Sequence, residues 1–259
     1  MAVNKVIKGN TTLIDLTADT AVASDVASGK TFHLADGTQA TGSAVPAVDN
    51  LPAWLSGNTI TAISDSAITA IRDYAAYHNG GLLTVSLPNA TSIGECAFQY
   101  CKKMTSFSAP SATSLSLSAL DGWSKLATVD LTACYSLAEF ALSNCGYLTM
   151  IALPALGDMG VGAFAGCYSL EEVYLGGNFG FFYPASSASE AQFYDCGSLQ
   201  RLIIAATTPP TMRSAYLFGN VADIPVGLGI YVPDAAVNDY KAATNWSVYA
   251  SYIHPISDL

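Results

Sequence analysis

Residues 91–110 read TSIGECAFQYCKKMTSFSAP, and the chain keeps returning to this pattern. Moving on 22 residues from Ile93, Ala97, Phe98, Cys101, Met104 and Phe107 gives Leu115, Ala119, Leu120, Trp123, Leu126 and Val129. Two further steps give Leu137, Ala141, Leu142, Cys145, Leu148 and Ile151, then Met159, Ala163, Phe164, Cys167, Leu170 and Val173. One step back gives Ile71, Ala75, Ala76, Asn79, Leu82 and Val85. A fixed period of this length is the signature of a solenoid, in which each repeat packs mainly on its neighbours.

Each repeat holds two apolar clusters, and one repeat alone buries neither. The Val-x-Leu end alternates and is β-branched or aromatic at its centre, so it predicts a short strand. The strands should line up as a parallel sheet along one face. The Ile…Ala-Phe…Cys part has spacings of four and three, which predict one helical or 3₁₀ turn. Cys167 to Cys196 is 29 residues, so seven extra residues enter there. They fall within residues 176–191, GGNFGFFYPASSASEA. After them Phe193, Cys196, Leu199, Leu202 and Ile204 resume the register. Upstream, Ile60 and Ile63 still fit, and residues 46–65 are expected to form an N-terminal cap with Trp54 on the first turn.

The stretches ATSIGECAFQYCKKMTSFSAP (90–110) and GVGAFAGCYSLEEVYLGG (160–177) resemble the BspA-like leucine-rich repeats of bacterial surface proteins. The resemblance covers about residues 60–205, and the tail from TTPPT (207–211) through IYVPDAAVNDYKAATNWSVYASYIHPISDL (230–259) resembles that family's C-terminal end. It implies adhesion or recognition. Asn79 and Trp123 depart from the usual Cys and Ala76 from the usual Phe, which predicts less regular packing in those repeats. The expected fold is thus an α/β repeat solenoid of the leucine-rich type, with about six repeats over residues 66–205 and a C-terminal cap over 206–259. In that cap, Asp234 is expected to cap a helix over 235–243, with Trp246, Tyr249 and Ile253 covering the open end.

Composition narrows the function. Hydrophobic residues make up 51% of the chain and charged residues only 12%, with net charge −10 and 10 Lys+Arg. That balance argues against nucleic acid and anionic lipid as partners, since both select basic patches. No run approaches ~20 apolar residues, so no spanning helix or membrane insertion is expected. Four of the six cysteines, Cys101, Cys145, Cys167 and Cys196, share one repeat position. They are expected to stack as small buried hydrophobes. No C-x-x-C pair and no histidine at zinc spacing is present, so neither a metal nor a cofactor is expected.

Residues 1–45 lack the repeat. Thr12–Leu16 alternates as a short strand, and residues 24–29 look like one helical turn. Lys30–Leu34 and Thr38–Thr41 flank Ala35-Asp36-Gly37, a tight-turn signal. This β-rich segment is too small to hold a core alone. LTADTAVASDVASGKTFHLADGTQATGS (16–43) resembles short N-terminal modules of phage and prophage tail-associated proteins. The resemblance implies attachment to other tail proteins through residues 1–45 and, by analogy with fibres, a homotrimer. The first residues also lack the apolar core of a signal peptide. Together these lead to an expected receptor-binding protein of a phage tail, made in the cytoplasm and located in the virion. The alternative is a bacterial cell-surface adhesin.

No catalytic constellation emerges, so the chain is read as non-enzymatic. His33, His78 and His254 lie apart without a nucleophile partner, and Glu171 and Glu172 point to opposite faces of a strand. Recognition is expected where residues flanking each central strand position point outward. Those columns run through Thr84 and Ser86, Ser106 and Ser108, Thr128 and Asp130, Met150 and Ala152, Glu172 and Tyr174, and Arg201 and Ile203. The later rungs are larger and more varied, which selects Asp130, Met150, Glu172, Tyr174 and Arg201 as candidate contacts for a host cell-surface glycan or protein. Phe179, Phe181, Phe182 and Tyr183 of the insertion form a second candidate, either packed inward or exposed as a contact loop. Tyr100, Tyr135, Tyr147, Tyr168 and Tyr194, on turns around the cysteine column, form a third.

Overall fold

The structure, a computed structural model, describes residues 60–259 apart from Ser124, together with four short strands upstream. The chain divides into two compact units, Met1–Asn50 and Leu51–Leu259. In the first, Lys5–Lys8 pairs antiparallel with Thr11–Asp15. Thr31–His33 pairs with Gln39–Thr41, with Phe32 opposite Ala40. The turn at residues 34–38, the helical turn at 24–29 and Trp54 lie outside the described residues.

In the second unit every repeat adds a strand to two different sides. One side carries a four-stranded parallel sheet, Ala62–Ser64, Thr84–Ser86, Ser106–Ser108 and Thr128–Asp130. It is followed by a five-stranded parallel sheet of Met150–Leu153, Glu172–Leu175, Arg201–Ile204, Gly229–Val232 and Ile253–Pro255. The apolar centres Val85, Phe107, Ile151, Val173 and Leu202 point inward and are buried. The other side carries seven two-residue strands, Ala70–Ile71, Ser92–Ile93, Ser114–Leu115, Ser136–Leu137, Asp158–Met159, Phe181–Phe182 and Thr211–Met212.

That second ladder corrects the expectation of a helical turn at the Ile93 position. The spacing of four from Ile93 to Ala97 comes from a strand residue followed by a tight turn, which looks like one helical turn in sequence. Two residues per turn hold left-handed backbone: Tyr74, Cys96, Ser118, Phe140 and Gly162 in one column, and His78, Tyr100, Gly122, Asn144, Gly166 and Asp195 in the other. Turn N–H groups bond to the next repeat, as Cys96 does to Leu117 O (2.9 Å), Phe98 to Ala119 O (2.9 Å) and Tyr100 to Asp121 O (2.8 Å). Backbone polar groups are therefore satisfied rung to rung on the turn side as well as along the sheets.

The cysteine column is buried and all six cysteines are free. Each column thiol donates to a carbonyl of the preceding repeat: Cys101 to Ala76 O (3.2 Å), Cys145 to Leu120 O (3.4 Å), Cys167 to Leu142 O (3.2 Å) and Cys196 to Phe164 O (3.1 Å). Trp123 keeps this role, its indole N–H donating to Phe98 O, and its ring packs edge-on to Phe98 and Phe107. Asn79 instead turns its Oδ1 to the N–H groups of Gly81 and Leu82.

Phe181–Phe182 pairs with Asp158–Met159, so one extra residue precedes this strand and six follow it. Those six lie before Gln192, whose carbonyl accepts from Phe164 N–H. At the C-terminus one more strand, Ile253–Pro255, adds beyond Gly229–Val232. The helix is short, Val237–Ala242 after a 3₁₀ turn Asp234–Ala236. Asp234 makes no side-chain cap; its Oδ1 accepts from Ser257 N–H at 3.2 Å and ties down the last turn. Trp246, Tyr249 and Ile253 are buried over the open end. Among the described residues no helix is long and apolar enough to cross a membrane.

Candidate functional site

The sheet register decides which outward side chains meet. In the five-stranded sheet Met150 lies beside Glu172, Glu172 beside Arg201 and Arg201 beside Gly229. The parallel column is Ala152, Tyr174, Ile203, Tyr231 and His254. Adjacent strands in a sheet stand ~4.8 Å apart, so these side chains form one continuous mixed surface.

Its polar centre is an ion pair. Arg201 Nε lies 2.6 Å from Glu172 Oε2, with both side chains partly open to water. The hydrogen bond and charge of Glu172 raise the Arg201 pKa above its ordinary value. Such a pair contributes ~0.2–1 kcal/mol to stability, so its value here is to fix a charged fork among apolar neighbours. The Tyr231 ring lies over Gly229, where a Cβ would fall 2.6 Å from it. It also contacts His254 at a ring separation of 5.7 Å. Met150 is 60% exposed. The surface offers aromatic faces, an aliphatic edge and one charged fork, and it presents no nucleophile with a base.

The structure thus brings together Met150, Glu172, Tyr174 and Arg201 of the sequence candidates. Asp130 lies on the other sheet, at its last strand, where it accepts from Ser108 Oγ (3.2 Å) and Thr132 Oγ1 (2.7 Å). Phe179 and Phe182 drop out of the candidate set, because both are buried and pack on each other at 4.6 Å. Phe181 and Tyr183 remain outside the core and touch at 4.9 Å, with the Arg213 guanidinium 5.5 Å over the Phe181 ring. Phe181 belongs to the two-residue ladder, with Tyr183 directly after its strand, and neither is in the sheet that carries Arg201. Sequence reasoning missed Tyr231 and His254. The alternation in Ile230-Tyr231-Val232 was a usable signal for the first, whereas only the pairing of Ile253–Pro255 reveals the second.

Among the described residues no cluster of His, Cys, Asp and Glu could hold a metal ion. The repeats match the family model of the BspA type leucine rich repeat region in six copies over residues 69–200. A leucine-rich repeat protein from Bacteroides ovatus ATCC 8483 superposes with a TM-score of 0.50 at 20% identity, covering 69% of this chain and 49% of that one. The T. pallidum leucine rich repeat protein superposes with a TM-score of 0.51 at 22% identity, covering 64% of this chain and 80% of that one. The chain therefore spans about half the length of the Bacteroides ovatus structure. No curated protein matches it.

Proposed function

The chain belongs to the BspA-type leucine-rich repeat family, and from that premise we propose that it is a non-enzymatic recognition protein of a bacterial cell surface. It contacts a host glycan or protein through the outward face of the five-stranded sheet. The observation that carries this reading is the register, which aligns Met150, Glu172 and Arg201 beside Ala152, Tyr174, Ile203, Tyr231 and His254. Solenoids use such extended sheet faces for binding, and Tyr and Arg are the residue types that dominate binding energy. The four-stranded sheet presents mostly Ser and Thr outward and serves as a built-in comparison.

A tail-associated role, with its virion location and trimer, rests on the resemblance of residues 16–43 and on the character of the first residues, and the family match at 69–200 reaches neither. The surface reading therefore leads. The test is binding of the full chain to immobilised cell-surface glycoproteins and glycans. Arg201→Ala and Tyr231→Ala are each expected to weaken binding by roughly tenfold or more, a change of about 1.4 kcal/mol, while Ser106→Ala leaves it unchanged. Binding that survives both sheet-face substitutions sinks the proposal.

A further inference from the structure

The turn side of the solenoid carries a groove that the sheet face does not use. Its floor is the second left-handed column, where Gly122, Asn144 and Gly166 follow one another on successive rungs. Tyr100 closes one end of the row and Asp195 the other, with Lys102 and Tyr168 along one flank. The space they enclose is ≈ 430 Å³. From Tyr100 to Asp195 the row crosses five rungs, a span of about 19 Å at ~4.8 Å per rung.

Both tyrosines are seated on glycine. The Tyr100 ring lies against Gly122, where a Cβ would come within 2.4 Å of it. The Tyr168 ring lies against Gly146, where a Cβ would come within 2.3 Å. Tyr168 is 52% exposed, so its outer face is left to solvent, whereas Tyr100 is half-buried and its ring also meets the His78 ring at 4.7 Å. Between the rings, Asn144 is anchored from below: its Nδ2 donates to Asp121 Oδ1 at 2.9 Å. Asp121 is itself buried and also accepts from Ser143 Oγ (2.6 Å) and Gln99 Nε2 (2.8 Å). That arrangement fixes the amide and leaves Asn144 Oδ1 beside Gly166, 2.6 Å from where its Cβ would stand.

We propose that this groove binds a linear, neutral hexopyranose oligosaccharide. The exposed Tyr168 ring, held flat on Gly146, offers apolar area at low entropy cost, which suits the C–H face of a pyranose. The Asn144 amide oxygen and the Asp195 carboxylate offer acceptors for hydroxyl groups. The rung spacing is close to the length of one sugar unit in an extended chain, so successive sugars meet successive rungs. A net charge of −10 disfavours a polyanionic chain. A peptide strand is also disfavoured, because the Gly122, Asn144 and Gly166 N–H groups already bond to Ser143 O, Ala165 O and Tyr194 O.

The groove is separate from the sheet face, so the two proposals fail separately. The experiment is calorimetric titration of the full chain with cello-, malto- and manno-oligosaccharides, and with oligogalacturonate as the anionic comparison. One neutral series is expected to bind. Tyr168→Ala should then weaken it by about tenfold or more, and Tyr168→Phe should retain it. Gly146→Ala should also weaken binding, by lifting the ring while keeping it, and Arg201→Ala should leave it unchanged. Thermal melts of the variants check that the fold is intact. The proposal is overturned if no neutral series binds at millimolar concentration, if oligogalacturonate alone binds, or if Tyr168→Ala and Gly146→Ala leave affinity intact.

Discussion

Position 123 shows how much one residue carries in this fold. Trp123 stands in the cysteine column, is fully buried, and donates its indole N–H to Phe98 O. Trp123→Ala removes a large side chain and leaves that carbonyl without its donor. A loss of about 3–5 kcal/mol is expected, toward the upper end because a buried acceptor is orphaned. Urea denaturation measures it, and a loss under about 2 kcal/mol would mean that the site collapses around the cavity. That Trp123 occupies the column was legible from its spacing alone. Its hydrogen bond was not, since a pattern of residue types does not give the direction of an indole N–H. The same limit hid Asn144 and Asp121, because partners 22 or 23 residues apart come together only once the turns stack.

At the scale of the element, the strands stack so closely that some positions have no room for a side chain. A Cβ on Gly176 would lie 1.9 Å from Pro154 O, a backbone atom of the preceding rung. Gly177, next in sequence, would meet nothing nearer than Ala205 O at 3.7 Å. Gly176→Ala is therefore expected to destabilise by about 1–3 kcal/mol through forced separation of the rungs, and Gly177→Ala to be near neutral. Equal melting temperatures for the two variants would falsify this account. The Val-x-Leu strand was readable from sequence because its alternation matches one buried face. The second ladder was not, because two residues are too few to show a period of two. The left-handed turns were hidden as well. Tyr74, His78, Tyr100 and Phe140 occupy them where glycine would have announced them. For the binding face, the early Ser/Thr and later mixed columns were readable, and the structure adds a break between two sheets at that same transition, from Asp130 to Met150.

For the repeat unit as a whole, stacking buries ionisable groups in a line, and that gives stability a pH dependence. Burial pushes the Cys101 and Cys134 thiols up to about 12 from an ordinary 9.0. Cys145 and Cys196 are raised well above 9.0, again chiefly by burial. A raised folded-state pKa means the folded chain keeps a proton that the unfolded chain gives up. The contribution to stability is therefore fully present below pH 9.0 and is lost as pH rises from there toward 12. Each such thiol sets a limiting slope of about 1.4 kcal/mol per pH unit, and burial raises Tyr240 and Tyr249 in the same sense. Urea denaturation at intervals from pH 7 to 11 is expected to show a plateau followed by a steep decline above about pH 9. Cys145→Ser keeps a donor for Leu120 O and removes one titrating group, so the decline should become shallower by the slope of one proton. In the native chain the same thiols should resist alkylation at pH 8 and react once urea unfolds the repeats. A stability that stays level through pH 11 would mean the column is hydrated, and the dry stack from Cys101 to Cys196 would have to be given up.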